Sequence, residues 1–176
     1  MNATHEEWRP VVGFEGSYEV SDLGRVRSVT RVVINIDGVV QTFHGKMLKP
    51  WSAKCGGYRT VSMRRDRRTY RALVNNLVLE AFDTARPNGT VCRHLDGNPQ
   101  NNRLDNLAWG TQSENLHDAV RHGTHGMASK THCINGHPFD AVNTRIYVRR
   151  NGKTQRVCRT CHRNEYWRRA HGRRKR

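Results

Sequence analysis

Between Thr90 and Asn115 the order of extending, turning and helix-starting residues leaves few local geometries open. Thr90-Val91-Cys92-Arg93-His94 reads as a strand and Asp96-Gly97-Asn98-Pro99 as the turn that follows it. An asparagine-rich loop then leads to a short strand at Leu107-Ala108-Trp109. Thr111 with Glu114 three residues later is a capping-box pattern, so a helix is expected to begin there. Gly123, directly after Arg121 and His122, supplies the stop. Strand, loop, strand and helix would bring His94 and Asn115 together although they lie far apart in sequence.

That juxtaposition suits phosphodiester hydrolysis, which needs an activated water, a cation on the scissile phosphate and stabilisation of the leaving oxygen. A neutral histidine takes a proton from water near pH 7. An asparagine oxygen is a hard ligand suited to Mg²⁺ or Mn²⁺. Asn106 can hydrogen-bond across the loop and fix the carbonyl or imidazole that positions His94. The run His94-x-Asp96-Gly97-Asn98-x-x-Asn101-Asn102, then Asn106-Leu107-x-Trp109-x-Thr111, then Glu114-Asn115 resembles the ββα-metal core of HNH endonucleases, especially the phage and intron-borne homing type. The resemblance covers Thr90 to about Gly123. It implies His94 as general base, Asn106 as the central structural asparagine and Asn115 as the helix-borne metal ligand.

Two positions depart from that pattern. The residue before the general base is often an acidic metal ligand in nicking relatives, and here it is Arg93, which cannot coordinate a cation. Either Asp96, Asp118, or phosphate and water replace it, or activity is weakened or lost; alternatively Arg93 clamps the scissile phosphate. In the preceding helix, relatives usually carry histidine where this chain has Asn75. Asp96, Asn98, Asn101 and Asn102 read as turn-fixing residues rather than catalytic ones.

Upstream, short alternating or β-branched runs at Val11-Val12, Tyr18–Val20, Arg25–Val29, Arg31–Ile34 and Tyr58–Ser62 are punctuated by glycine, with Asp37-Gly38 as a hairpin turn. Leu73, Val74, Leu77, Val78, Ala81 and Phe82 form one apolar helical stripe. The stretch from Glu7 to Thr30 is similar to the β-rich DNA-binding module that precedes HNH cores in homing endonucleases. Alternation puts Arg25 and Arg27 on one face with Val26 toward the core. The resemblance implies that this face lies against DNA, along the minor groove. Trp8, Phe14 and Tyr18 are expected in a small core.

Five cysteines and no secretion signal argue against a disulfide framework. Cys133-x3-His137 and Cys158-x2-Cys161 offer four ligands on two knuckles around a hairpin turning at Asn151-Gly152, the donor set of a structural Zn²⁺ site. His162 or His132 could stand in for His137. A similar arrangement follows HNH cores in some phage proteins. Cys55 and Cys92 read as buried thiols. The net charge is +16, and residues 145–176 hold 13 Lys and Arg against the single acid Glu165. That polycation points to phosphate contacts by Arg145, Arg149, Arg163, Arg168 and Arg169.

With 35% apolar residues and a mean hydropathy of −0.85, several small units fit better than one large core. The expectation is an α+β chain of small modules around a central ββα-metal core. Residues 7–68 would form the β-rich DNA-binding module, 69–123 the helix plus nuclease core, and 124–176 the zinc-binding hairpin with its basic tail. The N-terminus shows no signal core and no stretch is long and apolar enough to span a membrane, so a cytoplasmic protein is expected. It would act as a monomer on double-stranded DNA, with no small-molecule substrate. The rival readings are a non-cleaving DNA-binding protein on a decayed HNH core and an RNA-binding zinc-ribbon protein.

Overall fold

A computed structural model describes residues 5–34, 36–52 and 56–171, with the side chains of 166–171 left out of the description; Cys55 lies outside the described residues. The chain divides into two compact units, Met1–His122 and Gly123–Arg176.

The first unit opens with an antiparallel three-stranded sheet of β1 (Trp8–Pro10), β2 (Tyr18–Ser21) and β3 (Val26–Ser28). The strand expected at Val11-Val12 lies instead at Trp8–Pro10; Val11, just past its end, drops into the core and Val12 faces solvent. A separate hairpin of β4 (Arg31–Ile34) and β5 (Val40–Phe43) turns at Asp37-Gly38 as anticipated. A second three-stranded sheet joins β6 (Trp51–Ser52), β7 (Arg59–Arg65) and β8 (Arg68–Leu73). Then come α1 (Val74–Phe82), β9 (Thr90–His94), a single 3-10 turn (Leu104–Asn106), β10 (Leu107–Thr111) and α2 (Gln112–Arg121).

One hydrophobic core joins the two three-stranded sheets, α1 and the β9–β10 pair, and the β4–β5 hairpin stands outside it. Val11, Tyr18, Val20 and Val26 from the first sheet pack with Val61 and Met63 from β7, with Val74, Leu77, Val78 and Leu79 of α1, and with Leu107 of β10. Segments 7–68 and 69–123 thus share a core rather than holding one each. Leu79 is buried although it lies off the predicted stripe, because α1 touches both three-stranded sheets and the β9–β10 pair. Tyr18 is fully used as a core residue: its hydroxyl accepts from Arg64 N at 2.9 Å and donates to Arg64 O at 3.4 Å. Trp8 corrects the expectation. It stays outside the core, and its ring lies 4.1 Å beneath the Arg27 guanidinium.

The second unit holds a hairpin of β11 (Thr144–Val148) and β12 (Thr154–Cys158) leading into α3 (Arg159–His171). Arg168 and Arg169 belong to α3, with side chains outside the described residues. Among the described residues no helix is long and apolar enough to cross a membrane.

Candidate active site and metal centre

β9 and β10 pair in the register His94↔Leu107, Arg93↔Ala108, Val91↔Gly110, which sends His94 and Arg93 to opposite faces. On the core side His94 is only 8% exposed. Its Nε2 lies 3.0 Å from Oδ1 of the buried Asn102, and the Tyr58 ring sits at a centroid distance of 5.8 Å. The Asn102 amide nitrogen donates to Gln100 O at 3.4 Å, which turns the Asn102 oxygen toward the imidazole. In a neutral imidazole this contact makes Nε2 the donor and Nδ1 the acceptor.

Asn106 fastens the loop next to this histidine. Its Oδ1 accepts from Asp96 N, and its Nδ2 donates to Asp96 Oδ1 and to Asn101 O, each at 2.9 Å. Its carbonyl accepts from Leu95 N at 2.9 Å. The contact to the imidazole itself belongs to Asn102, whose place beside the turn predicts only a turn-fixing role. Asp96 accepts from Asn98 N, Asn101 and Asn106. The bond from Asn101, with those of Asn98 and Asn106, holds its carboxyl below the usual carboxylate range. The loop is seated on the first sheet: Leu104 N donates to Asp22 O at 2.8 Å. A Cβ on Gly24, whose φ is +75°, would fall 2.6 Å from the Asn102 carbonyl oxygen. That glycine makes the turn and also admits the backbone that carries Asn102.

On the other face Arg93 reaches across to α2. Its Nε donates to Asp118 Oδ2 at 2.7 Å and its NH1 stands 3.6 Å from Glu114. The side chain passes over Gly110, where a Cβ would meet Arg93 Cδ at 2.4 Å. Asp118 is buried and also pairs with Arg121. The Arg93 hydrogen bond holds its carboxyl below the usual range, and the same bond raises Arg93. Glu114 is the capping-box partner of Thr111, accepting from Thr111 N at 2.7 Å. Asp118 is thus an ion-pair partner, and Arg93 is a strand-to-helix tie.

Asn115 lines a cleft of about 330 Å³ together with Gln112, Asn75, Asn76, Arg86 and Tyr58. Tyr58 borders both this cleft and His94, and nothing in the sequence reading singled it out. Asn75, the other departure from the resemblance, is buried here with its Oδ1 unpaired, and burial pushes the Cys92 thiol, which lines the same cleft, up to about 11. Arg25 and Arg27 share the Trp8 face, but each is paired, Arg25 with Glu6 and Arg27 with Glu19. Val26 between them is buried.

In the second unit Cys133, His137, Cys158 and Cys161 converge, with donor atoms all within 4.8 Å of one another. His137 Nδ1 lies 3.5, 3.7 and 3.2 Å from the sulfurs of Cys133, Cys158 and Cys161. A tetrahedral ion with bonds of about 2.0–2.3 Å sets its donors roughly 3.4–3.8 Å apart, so this cluster can hold a metal ion. Amides point at the sulfurs: Asn143 Nδ2 to Cys158 and Asn135 Nδ2 to Cys161, each at 3.2 Å. Burial pushes the Cys158 thiol up, but the Cys161 N–H, the Asn143 amide and the neighbouring thiols outweigh it and bring it down to about 6. His132 bonds to Thr131 instead.

Residues 74–117 match the HNH endonuclease family, and residues 6–64 match the NUMOD4 motif. The central ββα element is an HNH domain. The chain is similar to DNA endonuclease I-HmuI of Bacillus phage SP01, at 32% identity over 67% of this chain and 60% of that protein. It is also similar to an HNH endonuclease of Acanthamoeba polyphaga mimivirus, at 31% identity over 68% of this chain and 27% of that protein. The chain thus spans less than two thirds of these relatives' length. A solved structure describing DNA binding and cleavage by the HNH homing endonuclease I-HmuI superposes with a TM-score of 0.54. It is 25% identical and covers 91% of this chain and 82% of that one. The HNH match holds Arg93, His94, Asn102, Asn106 and Asn115, and Asp118, the partner of Arg93, lies one residue past its end.

Proposed function

We propose that the chain is a metal-dependent DNA endonuclease of the homing type, hydrolysing phosphodiester bonds in double-stranded DNA. The observation that carries this is His94, buried inside an HNH domain with Nε2 tied to Asn102 at 3.0 Å. His94 takes a proton from the attacking water at Nδ1. Asn102 fixes the tautomer, and Asn106 fixes the loop beside it. The hard-cation donor set is incomplete before DNA arrives. Asn115 offers one carboxamide oxygen, while Asp96 is satisfied by its loop, Glu114 caps α2 and Asp118 is tied to Arg93. Asn115 would hold Mg²⁺ or Mn²⁺ with oxygens of the phosphate, and such an ion neutralises charge developing there. The four-donor cluster of the second unit leaves no open position and would hold structural Zn²⁺. The chain would act as a monomer, on DNA in the cytoplasm of a bacterial or phage-infected cell.

One observation favours a second reading. With Arg93 standing on Asp118 and Glu114, no carboxylate among the described residues lines the cleft of Asn115, as in a DNA-binding protein that no longer cuts. Incubating supercoiled plasmid with the protein and Mg²⁺ or Mn²⁺ separates the two. Nicked or linear product that disappears in His94→Ala supports the nuclease; intact plasmid with retained binding supports the alternative.

A further inference from the structure

The C-terminal hairpin has one face used internally and one left open. In the β11–β12 register Arg145 stands opposite Val157 and Tyr147 opposite Gln155, so these side chains share a face. Arg156, on the other face, donates to the carbonyls of Met127 and Ala128 and lies 4.7 Å over the Phe139 ring. The Arg145 face meets the start of α3. Two adjoining cavities of about 220 and 400 Å³ lie there, both lined by Arg145, Val157 and His162. Tyr147 closes one and Arg159 and Arg163 close the other. No carboxylate lines either cavity, and among the described residues Arg145, Arg159 and Arg163 form no ion pair.

Arg9, Arg25, Arg27, Arg93, Arg103 and Arg121 of the first unit have acidic partners, while others there, Arg31 and Arg86 among them, form no ion pair among the described residues; what sets Arg145, Arg159 and Arg163 apart is that they line adjoining cavities. Three guanidinia without an acidic partner, of which Arg159 donates through Nε to Thr144 O at 3.3 Å, surround an apolar-floored groove and call for an anion with several charged groups in a row, because each planar fork suits a phosphate. Tyr147 and Val157 offer apolar surface to what lies between the phosphates. We infer that the groove between β11–β12 and the start of α3 seats the phosphodiester backbone of one strand of duplex DNA. This rests on the DNA-directed function proposed above and adds the place of contact, including Arg159, His162 and Tyr147, which that function does not use.

The test compares two triple variants of the full chain, R145Q/R159Q/R163Q in the groove and K130Q/R150Q/K153Q elsewhere in the same unit. Binding to a random-sequence duplex is followed by fluorescence anisotropy over a salt series. Each lost phosphate contact lowers the slope of log K against log salt by about 0.9, so the groove variant should lose roughly 2 to 3 from the slope. The outer variant should lose clearly less, and R145K/R159K/R163K should keep the parent slope. Bound zinc, measured on each protein, shows that the unit is still folded. Equal losses in the two glutamine variants, or an unchanged slope in the groove variant with zinc retained, overturn the groove. A parent chain that fails to bind duplex DNA at all overturns the nuclease reading as well.

Discussion

The 3.0 Å contact between Asn102 Oδ1 and His94 Nε2 orients the imidazole, and its neighbours guard it. Replacing Asn102 with aspartate keeps the acceptor but adds a negative charge, which favours the protonated imidazole. The histidine must be neutral to act as base, so the acidic limb of the cleavage-rate profile should move to higher pH in Asn102→Asp. A profile that stays in place would show that Asn102 does not face the reactive histidine. Gly24 acts on the same contact from the N-terminal sheet. An alanine there meets both a left-handed backbone and the Asn102 carbonyl at 2.6 Å. Gly24→Ala should destabilise the first unit by about 1–3 kcal/mol in urea unfolding and slow cutting. The places of His94 at a strand end, Asn106 in the loop turn and Asn115 on the helix were legible because the spacing and residue types are specific together. Asn102 was not, since an asparagine beside a turn looks the same whether it caps the turn or reaches eight residues back.

Among the elements, the capping box at Thr111 and Glu114 and the glycine stop at Gly123 were readable from local chemistry alone. The β7–β8 hairpin was not. Its turn uses Asp66 and Arg67, both at positive φ, where asparagine and glycine are the usual signal. The surrounding run of arginines also hides the alternation. The tie between β9 and α2 was equally invisible, because spacing does not show that Arg93 would turn to Asp118. Asp118 has its carboxyl lowered in the folded chain, first by the Arg93 hydrogen bond. Its contribution is full above the ordinary aspartate value of about 3.9 and is lost as pH falls through the lower folded value. Asp118→Asn should therefore be less stable than the parent at neutral pH, and the gap should close in urea titrations below about pH 4. A gap independent of pH would mean that the pair does not hold α2 to β9.

At the scale of the whole molecule, the first unit rests on an apolar core and the second on its four-donor cluster. Small metal-stapled units draw much of their folding free energy from the ion. Chelation, or Cys158→Ser with Cys161→Ser, should unfold the second unit by circular dichroism and proteolysis and weaken DNA binding. The first unit's melting transition should survive. Elemental analysis that finds no zinc in protein purified without chelator would contradict this. The central claim is that His94 does the chemistry while the rest of the chain does the holding, and it is tested most directly by measuring single-turnover cleavage and DNA affinity together for His94→Ala. Cleavage should fall by roughly 10²- to 10⁴-fold, unrecovered by added Mg²⁺ or Mn²⁺, with affinity nearly unchanged. A His94→Ala protein that cuts as fast as the parent would contradict the account.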